Sequence, residues 1–221
     1  MRIDSRHVSD DLAYILPMLI FLLITAAGNQ WPGTYAAGYA IKTILAGAAL
    51  ILLRDHYTKI SWRVWWLGIL VGVIGTVQWI AMGKSMMHWK IADSSDAHSP
   101  MKVASPAFQG IYLAFRLAGP VLVVPFMEEL FWRDFLWRTV VDPDDFKRAQ
   151  VGHRNWLALL VVTAAFASVH ASQGLTAVVW GLMIAGLLIS TRSLGACILM
   201  HATTNLLLGI WVVWQHDWAF W

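Results

Sequence analysis

The sequence predicts an all-α, polytopic transmembrane bundle of about seven helices. Three observations carry that reading. Hydrophobic residues make up 58% of the chain and charged residues only 13%, about half the charge content of an ordinary soluble domain. Mean hydropathy is +0.59. Apolar runs follow one another along the chain, each close to the roughly 20 residues that a helix needs to cross a bilayer. Residues 1–221 are therefore expected to form a single transmembrane domain, with no soluble domain beside it. The single cysteine, Cys197, excludes an intramolecular disulfide and a metal site built from cysteines. A net charge of +3, scattered along the chain, does not suit nucleic acid. The partner implied at this level is the lipid bilayer.

The seven segments are Leu12–Gly28, Ala36–Leu53, Trp62–Met82, Phe108–Val141, Trp156–Ala171, Leu175–Ser190 and Leu194–Trp214. The first follows Asp4, Asp10 and Asp11 and precedes no cleavage-like site, so it is expected to be a retained helix and not a signal peptide. In the third, Gly68 and Gly72 form a GxxxG pair, which either marks a close helix contact or is chance spacing. The fourth is too long for one straight span, and Pro120 and Pro125 predict a kink or break. Trp31, Trp62, Trp65, Trp66, Trp89, Trp156, Trp211, Trp214 and Trp218 stand near segment ends, as interface anchors do. Ala92–Pro106 is expected to be a polar connecting loop.

Loop charges set an expected orientation. Arg2 and Arg6, then Arg54, Lys59 and Arg63, then Arg138, Lys147, Arg148 and Arg154, and finally Arg192 fall on one side if the N-terminus is cytoplasmic. The other side receives Lys84, Lys90 and Lys102. A multi-pass protein of a bacterial inner (plasma) membrane, with its N-terminus cytoplasmic, is the expectation.

Ionisable residues inside a bilayer are costly unless paired, which makes them functional candidates. The only two glutamates, Glu128 and Glu129, are adjacent in the fourth segment, and of eight histidines only His170 and His201 lie in apolar segments. Glu129 and Arg133 are four apart and suit an ion pair. Glu128 is turned about 100° away from that face and lacks the partner. His201 and Asn205 share a face of the seventh helix, as Phe166 and His170 share one of the fifth. A base, a second proton-handling group and two polar donors are the parts needed for attack of water on an amide. The competing reading is a structural hydrogen-bond network between helices. The chain contains no HExxH helix and no GxSG-type serine motif. On ligand type alone, Glu128, His170 and His201 could instead hold zinc. Neither histidine has an obvious carboxylate behind it, as zinc-bound imidazoles usually do.

Glu128-Glu129-Leu130-Phe131-Trp132-Arg133 resembles the EExxxR motif of the CAAX-protease and bacteriocin-processing (abortive-infection) family of intramembrane glutamate proteases. Phe166–His170 is similar to its FxxxH motif and His201–Asn205 to its HxxxN motif, in the family's order, within residues 108–214. The resemblance implies an intramembrane endopeptidase with catalytic residues Glu128, His170, His201 and Asn205. In it, Glu128 activates water with His170 as partner, His201 and Asn205 hold the oxyanion, and Glu129 and Arg133 form a supporting pair. It implies a peptide or protein substrate at the membrane and, for the expected metal-free site, no cofactor. The run Thr191–Leu194 and the ending Trp218–Trp221 further resemble a Trp-rich bacterial subgroup associated with exosortase/PEP-CTERM systems, although Val169 stands where that subgroup often has glutamate. Two other functions compete with this one. One is a non-catalytic immunity or assembly protein, and the other a small proton-coupled transporter. Measured at 1.5 Å per residue from the basic ends, His170 lies about 20 Å deep and His201 about 10 Å, which predicts a tilted or displaced fifth helix.

Overall fold

The computed structural model describes residues 5–91, 99–100 and 105–221. Most of the expected 92–106 loop, together with Arg2, Asp4 and Lys102, lies outside the described residues. Three helices open the chain: α1 Ser5–Gln30, α2 Tyr35–Leu52 and α3 Trp65–His88. The long fourth segment is a continuous helical rod made of α4 Pro106–Ala118, a π-helical stretch Gly119–Val123, α5 Val124–Glu129, a second π stretch Leu130–Leu136 and α6 Trp137–Val141. Then come α7 Trp156–Ser168, α8 Gly174–Thr191 and α9 Leu194–Gln215. Six of these units are long and apolar enough to cross a membrane: α1, α2, α3, the rod, α8 and α9.

The fifth expected segment is the exception. Helix α7 has 13 residues, about 20 Å at 1.5 Å per residue and short of a hydrocarbon core of about 30 Å. It starts where expected, because Asn155 Oδ1 accepts from Ala158 N at 2.9 Å. It stops before His170, which sits in the turn that leads into α8 and not on the helix itself. Ser105 opens the rod and Ser193 opens α9 by the same kind of cap, the former with Pro106 in the first helical turn.

The buried face of α3 is Gly68, Gly72, Gly75, Thr76 and Gly83, while Leu70, Ile74 and Val77 are more than half exposed. That inversion is what a bilayer demands, since lipid solvates large apolar side chains and small residues let backbones approach. A Cβ added at Gly72 would stand 2.7 Å from the Met200 carbonyl oxygen, and one at Gly68 would collide with the Ala196 carbonyl. The GxxxG pair therefore marks the α3–α9 contact. Of the tryptophans expected at the interface, Trp31, Trp89, Trp156 and Trp214 are well exposed. Trp218 is not: it is buried with Leu208 and Val212, because the last turn folds back over α9.

One end of the bundle is knotted by polar contacts. Tyr14 of α1 donates to Asp134 Oδ2 at 2.8 Å and accepts from Thr58 N at 2.7 Å. Arg138 pairs with Asp134 and donates to Thr58 Oγ1, Lys147 O and Ala149 O, each at 2.8 Å. Lys147 reaches Asp10 at 2.6 Å. Ser61 O accepts from Gly195 N at 3.0 Å. Beside this knot, Tyr57 donates to Ala13 O, and burial pushes its phenol up to about 12. Arg138 is thus a structural tie, not a free loop charge. The start of α1 and the loops before α3, α7 and α9 meet at this end.

Candidate active site

The rod delivers the acidic motif. Pro125 has no N–H, and the 119–123 π turn sends Val124 N to Gly119 O, so the Pro120 carbonyl is left without a backbone donor. Asn205 of α9 fills it, donating from Nδ2 at 2.8 Å. The proline pair therefore does more than bend the rod. It creates the acceptor that fixes the third motif against the first, and Asn205 keeps a second amide N–H for other use.

Glu129 is fully buried and holds two partners. Its Oε1 lies 2.7 Å from His201 Nδ1 and accepts from Arg133 Nη1 at 3.4 Å, while Oε2 is 3.3 Å from Arg133 Nε. The expected Glu129–Arg133 pair is present. It does not exclude Glu129 from backing a histidine, so the expectation that neither histidine has a carboxylate behind it is corrected for His201. With Nδ1 directed at Glu129, Nε2 of His201 is the ring nitrogen left for the cavity. Arg133 also lies beside two rings, its guanidinium carbon 4.7 Å from the Phe166 centroid and 5.8 Å from that of Trp180.

His170 turns back on its own chain. Its Nδ1 donates to Phe166 O at 2.8 Å, and its ring lies 4.4 Å from the Phe166 ring. That leaves Nε2 as the open nitrogen. Trp180 links the two histidines, stacked on Phe166 at 5.5 Å and edge-on to His201 at 4.9 Å. Its indole N–H donates to Thr204 Oγ1 at 3.3 Å, and Thr204 donates to Gly72 O at 3.0 Å.

His170, His201 and Asn205 line one cavity of about 200 Å³, together with Trp79, Arg116 and Trp180. Glu128 is not among its lining residues. It is buried one residue away from Glu129, and its Oε2 has no hydrogen-bond partner. Three of the four expected catalytic residues are thus brought together at one cavity, and the fourth is not among its lining residues. Among the described residues no three His, Cys, Asp or Glu side chains gather as metal ligands would.

Residues 110–207 match the family model described as Rce1-like, type II CAAX prenyl endopeptidase. Over this stretch, a little under half of its length, the chain is similar to the CAAX-protease family. No curated protein and no solved structure matches the chain. The Rce1-like stretch contains the rod from its first turns, all of α7 and α8, and α9 through Asn205. It therefore holds every residue that lines the cavity except Trp79 of α3, Leu208 and Gly209 of α9, and Phe220 and Trp221.

Two features of this Rce1-like site escape the three motifs. Trp180 and Thr204 are ordinary apolar-segment residues in sequence, and only their packing gives them a place. Arg116 had a signal: it is an ionisable residue inside the fourth apolar run, which is the criterion that singled out the glutamates and histidines.

Proposed function

We propose that this chain is an intramembrane endopeptidase that hydrolyses a peptide bond with a water activated by Glu128. The observation that carries the reading is the meeting of His170, His201 and Asn205, from two motifs on separate elements, at one cavity inside the Rce1-like stretch. Glu128 brings a buried carboxylate oxygen without a partner, which is an acceptor open to a water proton. His170, whose Nδ1–H donates to Phe166 O, offers Nε2 as a second acceptor that holds that water, and the proton taken up by Glu128 is returned to the leaving amine. The second N–H of Asn205 and a protonated Nε2 of His201 suit the oxyanion that forms on the carbonyl. Glu129 and Arg133 orient His201 from behind. The matched family is described as a CAAX prenyl endopeptidase, so a prenylated peptide with a CAAX-type end is the first substrate class to try. The ending Trp218–Trp221 is compatible with the narrower exosortase-associated resemblance.

A second reading has its own observation. The 2.7 Å contact between Glu129 and His201 is the arrangement by which a carboxylate orients a histidine base, and His201, unlike Glu128, reaches the cavity. One experiment separates the two. Purified chain is assayed for cleavage of a farnesylated peptide, alone and carrying Glu128→Gln. The expected outcome is loss of at least roughly 100-fold in rate, the scale of a general base, with unchanged melting temperature. Retained activity in Glu128→Gln with loss in His201→Gln would transfer the base to His201. No cleavage by the parent chain would remove the endopeptidase reading. The same assay in chelator is expected to keep its rate, because the site is proposed to be metal-free; loss in chelator and recovery with zinc would reverse that. The bundle is proposed to lie in a bacterial inner membrane with its N-terminus cytoplasmic, supported by the basic loops gathered at one end.

A further inference from the structure

At the end of the bundle tied by the polar knot, the acids are committed. Asp10 pairs with Lys147, Asp55 with Arg54, Asp134 with Arg138, and Asp142 and Asp145 with Arg148. Two exposed arginines at this end, Arg154 and Arg192, have no ion pair among the described residues. They belong to different elements, and Gly152 brings them together. Its φ is +70°, and a Cβ there would stand 2.5 Å from the Leu188 carbonyl oxygen and 3.3 Å from Arg192 Cα. Glycine alone adopts that backbone at no steric cost and clears that contact, so the loop before α7 lies directly on the last turn of α8. From the other side, Trp137 Nε1 donates to His153 O at 2.9 Å and pins the loop to the rod. Arg192 caps α8, its N–H donating to Leu188 O at 2.8 Å.

The result is a groove of about 480 Å³ with Arg154 and Arg192 on its rim and Gly152, Gly186 and Ile189 beside them. A second hollow of about 150 Å³ continues it between α7 and α8, past Trp156, Leu159 and Leu182. Arg154, Gly186 and Ile189 border both. The rim is cationic and the continuation apolar. Trp156, 72% exposed, stands where an indole marks the headgroup level. Gly186 differs from the glycines of α3, which are filled by α9: nothing lies within 4 Å of a Cβ added to it. It leaves open space on the lipid side of α8, between the two helices.

We propose that this groove binds one anionic phospholipid, with its phosphate between Arg154 and Arg192 and an acyl chain laid along Gly186 between α7 and α8. A guanidinium offers a planar fork that matches phosphate oxygens, and basic pockets between membrane helices hold anionic headgroups. A soluble anion would use the rim and leave the apolar continuation empty, whereas a phospholipid fills both. The bound lipid ties the start of α7, a helix of 13 residues, to the end of α8. The site stands apart from the endopeptidase reading, because it lies at the knotted end and shares no lining residue with the cavity of His170, His201 and Asn205.

The test counts lipids retained by the purified full chain in native mass spectrometry, titrated in non-ionic detergent with dioleoylphosphatidylglycerol or dioleoylphosphatidylcholine. The anionic lipid is expected to bind roughly tenfold more tightly, the scale of two arginines near a headgroup. That preference is expected to vanish in Arg154→Gln/Arg192→Gln. It is expected to survive in Lys59→Gln/Arg63→Gln, which removes the same charge from the loop before α3 at the same end. Gly186→Leu, whose side chain enters the open floor, is expected to weaken phosphatidylglycerol binding roughly tenfold. Glycerol phosphate, a headgroup without chains, is expected to bind at least roughly 100-fold more weakly than the lipid, since a few buried methylenes supply that factor. Equal affinity for the two lipids overturns the proposal. Equal loss in both charge variants also overturns it, by showing attraction to net charge and not to a site. Unchanged binding in Gly186→Leu places the lipid elsewhere, and glycerol phosphate binding as tightly as the lipid makes the groove a site for soluble phosphates; either result overturns it. The comparison of lipids on the parent chain and the Gly186→Leu titration leave both arginines in place, so they decide the matter even where the double arginine variant folds poorly.

Discussion

Glu129 is the residue on which the site's geometry turns, because one carboxylate serves a guanidinium and an imidazole at once. Arg133 is 2% exposed and Glu129 fully buried, so truncating the arginine strands a buried charge. Arg133→Ala is expected to cost about 3–5 kcal/mol, by analogy with broken buried pairs in soluble cores. The measurement is the melting temperature and membrane level of the purified variant beside Arg133→Lys, which keeps the charge; a melt like the parent's would show that the pair is solvated. The spacing of four residues made the Glu129–Arg133 pair readable in the sequence. The Glu129–His201 contact spans 72 residues, and nothing local announces it. Glu128 and Glu129 look equivalent in sequence, yet Glu129 is tied to His201 and Arg133 through Oε1. Only the direction in which the rod enters the bundle decides which is which.

At the level of elements, the helices follow from apolar run length, and their packing follows from small residues and prolines. Gly72 sets a separation that no larger residue tolerates, with a Cβ falling 2.7 Å from both the Met200 carbonyl oxygen and Thr203 Cβ. Gly72→Ala is expected to destabilise the bundle by about 1–3 kcal/mol through overpacking. Gly110→Ala, where a Cβ meets nothing within 4 Å, is expected to be neutral or stabilising by up to about 1 kcal/mol through helix propensity. Thermal melts of the two variants in the same detergent check both, and equal melts would mean that α3 and α9 are not held at this distance. Pattern reading found the seven segments because lipid-facing and core-facing residues are both apolar. For the same reason it could not say which face is which: α3 has its glycines inside and its large side chains outside. The prolines announced a break in the rod. The π turn that frees the Pro120 carbonyl for Asn205 depends on where the donors fall, which needs coordinates. Helix α7 ended early because its last turn tightens, with His170 N bonding to Ala167 O at 3.1 Å, and no glycine or proline marks that point.

For the whole molecule, the polar knot and the cavity lie toward opposite ends, and that sets the side from which a substrate is met. The knot joins the start of α1 to the loops before α3, α7 and α9 through Tyr14, Thr58, Ser61, Asp134 and Arg138. The cavity draws Trp79 from the later half of α3, together with Leu208, Gly209, Phe220 and Trp221, so it lies nearer the end that carries Lys90. If the basic loops are cytoplasmic, the cavity is nearer the outer face. Lys59 and Lys90 are both exposed and flank α3, a helix of 24 residues or about 36 Å, enough to cross. Single cysteines placed at these two positions must therefore report opposite sides, and Cys197, fully buried, gives little background. A membrane-impermeant maleimide applied to intact cells is expected to label Lys90→Cys at once and Lys59→Cys only after the membrane is opened. Labelling of Lys59→Cys from outside would invert the bundle and place the cavity nearer the cytoplasm. Labelling of both in intact cells would mean that α3 does not span, and the six-span count would fall with it.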